Sequence, residues 1–298
     1  MNKIKINLLA IICCLLWASA FFSGKYCLEY IPPITLAGIR LFIAAFMLLF
    51  FVKKEEFKKL LPYWPVVIIY SVTKMAFTFI TFNLGLSRVS PSMGAMIVGS
   101  SPAVAIILAV IFIPNEHLNK RKFAAMSLGM IAIVMLSLRK SSDGSSQLLG
   151  VVLLLSNVIA SSITDIFIKR KSAIKFSVTL NFVAILISAI IVFFVGSVTE
   201  EFSFVTFSGN YKLIGGLLFL AFITACATTL WLKLIQAPNV EVSEISIWKL
   251  LIPSAGALLS WIFTPGDNAT SFSLFALSLI LVSIFIATRK PKKKRNLA

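Results

Sequence analysis

Two lysines lie inside apolar stretches of this 298-residue chain with no acidic residue three or four positions away. Lys74 belongs to a run in which Tyr70, Lys74, Thr78 and Thr81 follow at intervals of 4, 4 and 3, which places them on one stripe of a helix. Lys249 is preceded by Ser246 and followed four residues later by Pro253, so the three share a face. The proline has no N–H to give the Lys249 carbonyl. A cation beside hydroxyls in a dry place is chemistry for holding a carboxylate or phosphate. Without an acid in its own helix, each lysine needs a partner from another helix, from water or from a bound anion. Asn157, Ser161 and Asp165 at intervals of 4 and 4, Thr224, Thr228 and Trp231 at 4 and 3, and Trp17 with Ser19 supply further polar faces. The candidate substrate-binding set is therefore Lys74, Lys249, Tyr70, Thr78, Thr81, Trp17, Asn157, Ser161, Thr224 and Thr228.

Each of these has a blander reading. Ser and Thr in apolar helices often bond to the carbonyl one turn back and do nothing more. Asp165 precedes Lys169 by four residues, the spacing of an intrahelical ion pair, and that pair is preferred for it over a proton relay. Lys233 sits at a helix end, where it can snorkel. Cys13, Cys14, Cys27 and Cys226 show neither metal nor redox spacing and read as packing residues. The single histidine, His117, is given no role, and no metal or cofactor is expected. An enzyme acting on lipid would need acids, histidines or serines clustered at an interface. The acids are dispersed instead, as Glu55 and Glu56, Glu200 and Glu201, and Glu241 and Glu244, so no catalytic residue is assigned.

The elements that must position these residues follow from composition. Hydrophobic residues make up 59% of the chain and charged ones 13%, with a mean hydropathy of +0.97. A soluble domain of this size could not wet its surface with so little polarity. The expected fold class is an all-α integral membrane protein. Ten apolar windows of spanning length stand at about 8–24, 34–52, 63–83, 92–113, 123–138, 148–168, 176–196, 213–232, 244–263 and 272–288. If the N-terminus begins in the cytoplasm, the inside segments hold nineteen of the 28 basic residues: Lys3 and Lys5, the loops 53–59, 120–122 and 169–175, and the tail 289–295. This asymmetry puts both termini in the cytoplasm of a multi-pass protein of the cytoplasmic (inner) membrane. The net charge of +17 is thus membrane topology and anionic-lipid contact, not a nucleic-acid face. Ala18-Ser19-Ala20 imitates a signal-peptide cleavage site, but cutting there would remove one span from a set that divides evenly, so retention is expected.

The division into two is written in the text. "SSPAVAIILAVIFIPNEH", from Ser100, returns 151 positions later as "LIPSAGALLSWIFTPGDN", with Pro102 on Pro253, Pro114 on Pro265 and Glu116 opposite Asp267. From Pro102 to Leu128 the shift gives eight identities over 27 positions. The polar stretch "KSSDGSSQ", Lys140 to Gln147, separates spans one to five from spans six to ten. Five is odd, so the second set must enter the membrane upside down. The expected domains are a first repeat at 1–140, a linker at 141–147, a second repeat at 148–290 and a basic tail at 291–298, the whole being ten transmembrane helices in two inverted five-helix repeats. Such repeats are the construction of many secondary transporters. Pro102, Pro253, Gly94, Gly99 and Arg40 are assigned structural roles, the glycines because small residues let helices approach closely.

"LLWASAFFSGKY" from Leu15, "PPITLAGIRLFIAA" from Pro32 and the segment Leu86 to Val134 resemble the EamA family of the drug/metabolite transporter superfamily. The resemblance rests on a Trp-small-Ser start, a Pro-Pro loop, Arg40 in the second span, a Pro followed by Glu, and Gly129. It is stronger in the first half, since Asp267 replaces the usual Glu and Ile280 stands where Gly129 would align. The resemblance implies ten helices and export or uptake of small metabolites. Arg40 matches a family position, and could equally hold its helix against a neighbour's carbonyls.

The expected function is a secondary transporter moving a small metabolite, an amino acid or other carboxylate-bearing solute, by alternating access. Its partners are a small-molecule substrate and the lipid bilayer, with no nucleic acid, and ten helices suffice for a monomer. The competing readings are a membrane-embedded lipid-modifying enzyme and a non-transporting scaffold. Cationic drug efflux is disfavoured because the first span carries no acid; Glu29 lies beyond its end. Reporter fusions in 140–147 and in the final tail should report opposite sides of the bilayer; the same side for both would remove the inverted arrangement.

Overall fold

In hydrocarbon no water can satisfy a bare N–H or C=O, so an apolar chain of this kind has to close its backbone hydrogen bonds within each segment. The computed structural model describes residues 3–99, 144–171, 176–237, 240, 245 and 247–288, with eleven scattered positions from Ser101 to Met135. Every long element within them is a helix. In chain order these are α1 (Lys3–Leu28), α2 (Pro33–Leu49), the short α3 (Lys54–Leu60), α4 (Trp64–Tyr70), α5 (Thr78–Arg88), α6 (Pro91–Gly99), α7 (Gly144–Arg170), α8 (Ser177–Thr199), α9 (Tyr211–Gln236), α10 (Leu251–Phe263) and α11 (Ser271–Thr288). Among the described residues five stretches are long and apolar enough to cross a membrane: Ile4–Leu28, Lys54–Arg88, Ser145–Arg170, Ser177–Thr199 and Tyr211–Gln236. The apolar helices Pro33–Leu49, Leu251–Phe263 and Ser271–Ser283 are shorter. About half of the windows 92–113 and 123–138 lies outside the described residues, together with Glu116, His117, Gly129, Lys140, Glu241, Glu244, Ser246 and the tail.

The expected linker is shorter than the polar composition of 141–147 suggests, because α7 already begins at Gly144. Gln147 is buried there, its amide nitrogen 3.7 Å from the Met93 sulfur, so this end of the stretch is a packed first turn. The third expected span is one continuous helical rod from Lys54 to Arg88, but its middle, Ser71–Phe77, is wound as a π-helix. The ninth expected span opens with a 3₁₀ turn, Ile247–Leu250, before α10, and Pro253 in the first turn of α10 accounts for that break.

The main helix pairs are α2 with α8, α1 with α9, α5 with α7, and α10 with both α1 and α6. Close approach depends on small residues. A Cβ on Gly38 of α2 would stand 2.8 Å from the backbone of Phe193 in α8. Gly99, at the end of α6, lies directly against the ring of Pro253 in α10, and a Cβ on Gly256 would come within 2.6 Å of the Ala95 side chain. Gly94 makes room for Leu86 and Phe21. The start of the second copy of the repeated run thus packs on the helix that leads into the first copy, and Pro102 and Pro253 are both buried. Outward-facing positions such as Phe46, Phe194, Val198 and Ile262 are exposed, as a lipid-facing surface requires.

Helix ends are fastened by side chains from distant parts of the chain. The Asp267 carboxylate accepts from the Ser92 amide at 2.8 Å and the Ser92 hydroxyl at 2.6 Å, at the start of α6. A valine at Gly99 has to displace the Pro253 ring. Gly99→Val is expected to lower stability by about 1–3 kcal/mol, the usual cost of overpacking, read as a lower unfolding temperature in detergent.

Candidate functional site

The π-segment brings Lys74 into the middle of the molecule, and the 3₁₀ turn does the same for Lys249. Both are met by one acid. Asp165, 3% exposed on α7, has its Oδ1 2.5 Å from Lys74 Nζ and its Oδ2 3.4 Å from Lys249 Nζ. Trp231 of α9 donates its indole N–H to Asp165 Oδ2 at 3.1 Å, and Lys249 Nζ lies 4.6 Å from the centre of the Trp231 ring. Lys74 Nζ also donates to Ser161 Oγ at 2.6 Å. Four helical segments from both halves of the chain therefore converge on a single carboxylate.

This differs from the intrahelical pair expected for Asp165. Lys169 donates to the carbonyls of Ile235 and Ala237 at 3.1 and 2.9 Å, while the Asp165 carboxylate faces the other way, toward Lys74, Lys249 and Trp231. The reason is burial. A carboxylate in hydrocarbon gains more from two enclosed ammonium groups than from one near a solvated helix end.

The irregular backbone is supplied with donors. Thr78 gives its hydroxyl proton to the Lys74 carbonyl. Ser188 of α8 donates to the Ser71 carbonyl at 2.8 Å, and Asn157 of α7 to the Thr78 carbonyl at 2.6 Å. A π-turn leaves carbonyls poorly paired in the helix, and these side chains meet them.

A cavity of about 130 Å³ opens against this cluster. Its wall includes Lys74, Lys249, Arg40, Asn157, Ser161, Thr78, Thr228, Ser101 and Trp17, with Phe21, Phe79, Phe82, Val98 and Ile252 as the apolar part. Of the sequence-derived set, Lys74, Lys249, Thr78, Trp17, Asn157, Ser161 and Thr228 meet at this wall. Tyr70, Thr81 and Thr224 stand away from it. Tyr70 is buried with its hydroxyl 3.5 Å from Asn181 Oδ1, and Thr81 bonds back to the Phe77 carbonyl at 2.8 Å. Thr224 accepts Arg40 Nε at 2.5 Å.

Arg40, assigned a structural role from the sequence, is on the cavity wall as well. It is 4% exposed, donates to the Leu220 carbonyl at 3.2 Å, and stacks its guanidinium 4.9 Å from the Phe79 ring centre. Among the described residues no carboxylate forms an ion pair with it. The cavity wall thus carries three cations, two of which, Lys74 and Lys249, are paired with Asp165. Sequence reasoning did not see that Asp165 joins both lysines, nor that Asn181, which donates to Thr228 and Thr229 at 2.8 Å each, fixes one wall. The signal was present: Asp165 is the acid inside a span that shares a helix face with Asn157 and Ser161, and two lysines elsewhere lacked acids.

Removing one member of such a cluster strands the others. Asp165→Asn leaves two enclosed ammonium groups facing one another and should cost about 3–5 kcal/mol. Adding Lys249→Met to it should restore part of the loss, measured as unfolding temperature of the purified protein.

Residues 4–138 match the EamA-like transporter family. The uncharacterized transporter YvbV of Bacillus subtilis is 22% identical over 298 residues, spanning 99% of this chain and 95% of its own length. A probable amino-acid metabolite efflux pump of Escherichia coli is 25% identical over 295 residues, covering 95% of this chain and 94% of its own. An S-adenosylmethionine/S-adenosylhomocysteine transporter of Chlamydia trachomatis is 26% identical over 130 residues, 43% of this chain and 39% of its own. A crystal structure covering 96% of this chain and 97% of its own superposes with a TM-score of 0.68 at 14% identity, so the fold is shared.

Proposed function

We propose that this chain, whose residues 4–138 match the EamA-like transporter family, carries a small carboxylate-bearing solute such as an amino acid across the cytoplasmic membrane by alternating access. The family and its relatives are transporters of small molecules, not enzymes, and the chain is a multi-pass membrane protein. The observation that carries the finer reading is the charge of the cavity wall. Lys74 and Lys249 share a single acid, Asp165, while Arg40, on the same wall, has no carboxylate among the described residues. A surplus of positive charge lining a cleft with apolar walls attracts an anion and repels a cation.

The two lysines divide the work. Lys74 is held at 2.5 Å from Asp165 and is bonded to Ser161, so it neutralises the acid. Lys249, at 3.4 Å from the carboxylate and over the Trp231 face, is the looser of the pair and can turn toward a solute. The cavity is smaller than the roughly 300 Å³ at which drug-sized pockets begin. That size suits a small metabolite, with Trp17, Phe21 and Phe79 against its apolar part.

Two inverted five-span halves, residues 1–140 and 148–290, with both termini cytoplasmic and the monomer as the working unit, supply the machinery. The pairing pattern supports this. An exchange of halves turns the α1–α9 contact into the α7–α5 contact, and returns the α2–α8 and α6–α10 contacts to themselves. In proteoliposomes Lys249→Ala and Lys74→Ala should each lower transport about tenfold, the scale of one lost charge-assisted hydrogen bond. A carboxylate that is transported should raise the unfolding temperature of the wild-type protein and not of Lys249→Ala. Unchanged flux of such a solute in both variants would remove the anion assignment.

A further inference from the structure

Three residues of the first half that fasten helix ends have counterparts in the second, each 144 positions away in the sequence: residues 25 and 169, 35 and 179, 56 and 200. Lys25, near the end of α1, donates to the carbonyls of Leu86, Ser87 and Val89 at the end of α5, at 3.1, 3.0 and 2.9 Å. Lys169, near the end of α7, does the same to the carbonyls of Ile235 and Ala237 at the end of α9. A cation on the last carbonyls of a helix is favoured by the field of that helix.

The acids form the second set. Glu200, after the end of α8, receives the amides of Ile34 and Thr35 at 2.9 and 2.7 Å and the Thr35 hydroxyl at 2.9 Å, at the first turn of α2. Glu56, in α3 beyond the end of α2, receives the hydroxyl of Thr179 at 2.5 Å, at the first turn of α8. Since α2 and α8 run antiparallel against each other, these two carboxylates stand at opposite ends of the same helix pair. The Lys25 tie is at the Glu200 end, because a short turn joins α1 to α2. The Lys169 tie is at the Glu56 end, since α7 leads into α8.

The two ends are not fastened equally. Glu200 covers two helix-terminal amides and a hydroxyl, whereas Glu56 reaches only the hydroxyl among the described residues. Amides at a helix start carry the positive end of its dipole, so a carboxylate seated on them is held more strongly than one on a hydroxyl alone.

We propose that Glu200 and Glu56 are positioning residues for transport: paired clamps at opposite ends of the α2–α8 pair, of which one must loosen for the cavity to open at its end. This rests on the alternating-access reading of the cavity. In the state described here the Glu200 end is the firmly closed one. Releasing either clamp shifts the population toward opening at that end, without touching the cavity wall.

The test uses a reporter in the cavity, Ala20→Cys, with the four native cysteines replaced by alanine. A membrane-impermeant maleimide is applied from one face or the other in right-side-out and inverted vesicles. Glu200→Gln should raise labelling from the Glu200 end relative to the other by about tenfold, and Glu56→Gln should raise it from the Glu56 end by about threefold, scaled to the number of charge-assisted bonds each loses. Thr35→Val should move the ratio in the direction of Glu200→Gln, and Thr179→Val in that of Glu56→Gln. A merely structural cap would lower the unfolding temperature and leave the ratio alone. Wild-type labelling from both faces, with a ratio that none of the four variants changes or that all move one way, overturns the clamps and leaves alternating access standing. Labelling from a single face in every variant overturns alternating access, and the clamps with it.

Discussion

A carboxylate enclosed among apolar helices persists only if cations and hydrogen-bond donors surround it, and Asp165 is surrounded from three directions. Lys74 and Lys249 give it charge, and Trp231 gives it an N–H. Each contributor comes from a different segment, so the cluster ties the third expected span to the sixth, eighth and ninth. The desolvation of three charges makes this arrangement costly to break and of little net benefit against an apolar core of the same shape. Its persistence in a chain with so few charges inside the spans points to use and not to stability.

The backbone yields to this cluster. A regular α-helix through Lys74 would present its side chain at a fixed angle and would leave no free carbonyls nearby. The π-wound segment re-aims Lys74, and the donors Ser188, Asn157 and Thr78 meet the carbonyls that it loosens. At Lys249 the device is different: Pro253 prevents α-helical bonding one turn back, and a 3₁₀ turn results. Both lysines are thus carried where the helix is least regular, as is common where transporters bind their solutes.

Around the cluster, the halves meet through small residues and through carboxylates at helix starts. Gly38 and Gly99 let α2 approach α8 and α6 approach α10, and Glu200 and Asp267 close the ends of α2 and α6. Smooth contacts with a few strong polar ties at the periphery suit elements that rock against one another more than elements that interlock.

Much of this could be read from the residues themselves. Apolar windows mark helices because lipid allows an apolar chain little else, and the eight windows with long described helices overlap them, although the rod through Lys74 starts nine residues before its window and α10 seven residues into its own. Polar faces at intervals of three and four name Lys74, Thr78, Asn157, Ser161 and Thr228 for the reason that a helix repeats every 3.6 residues. What remained hidden depends on which helices touch. Asp165 reads as the partner of Lys169 because four residues along one helix is the only neighbourhood visible in a sequence. Tertiary structure decides otherwise, since burial rewards two ammonium groups brought from 91 positions earlier and 84 later. The same holds for Arg40 on the cavity wall and for Glu56 and Glu200 at their distant helix starts. Periodicity is local and is set by the backbone, whereas the pairing of charges across helices is set by packing, which no single stretch of sequence contains.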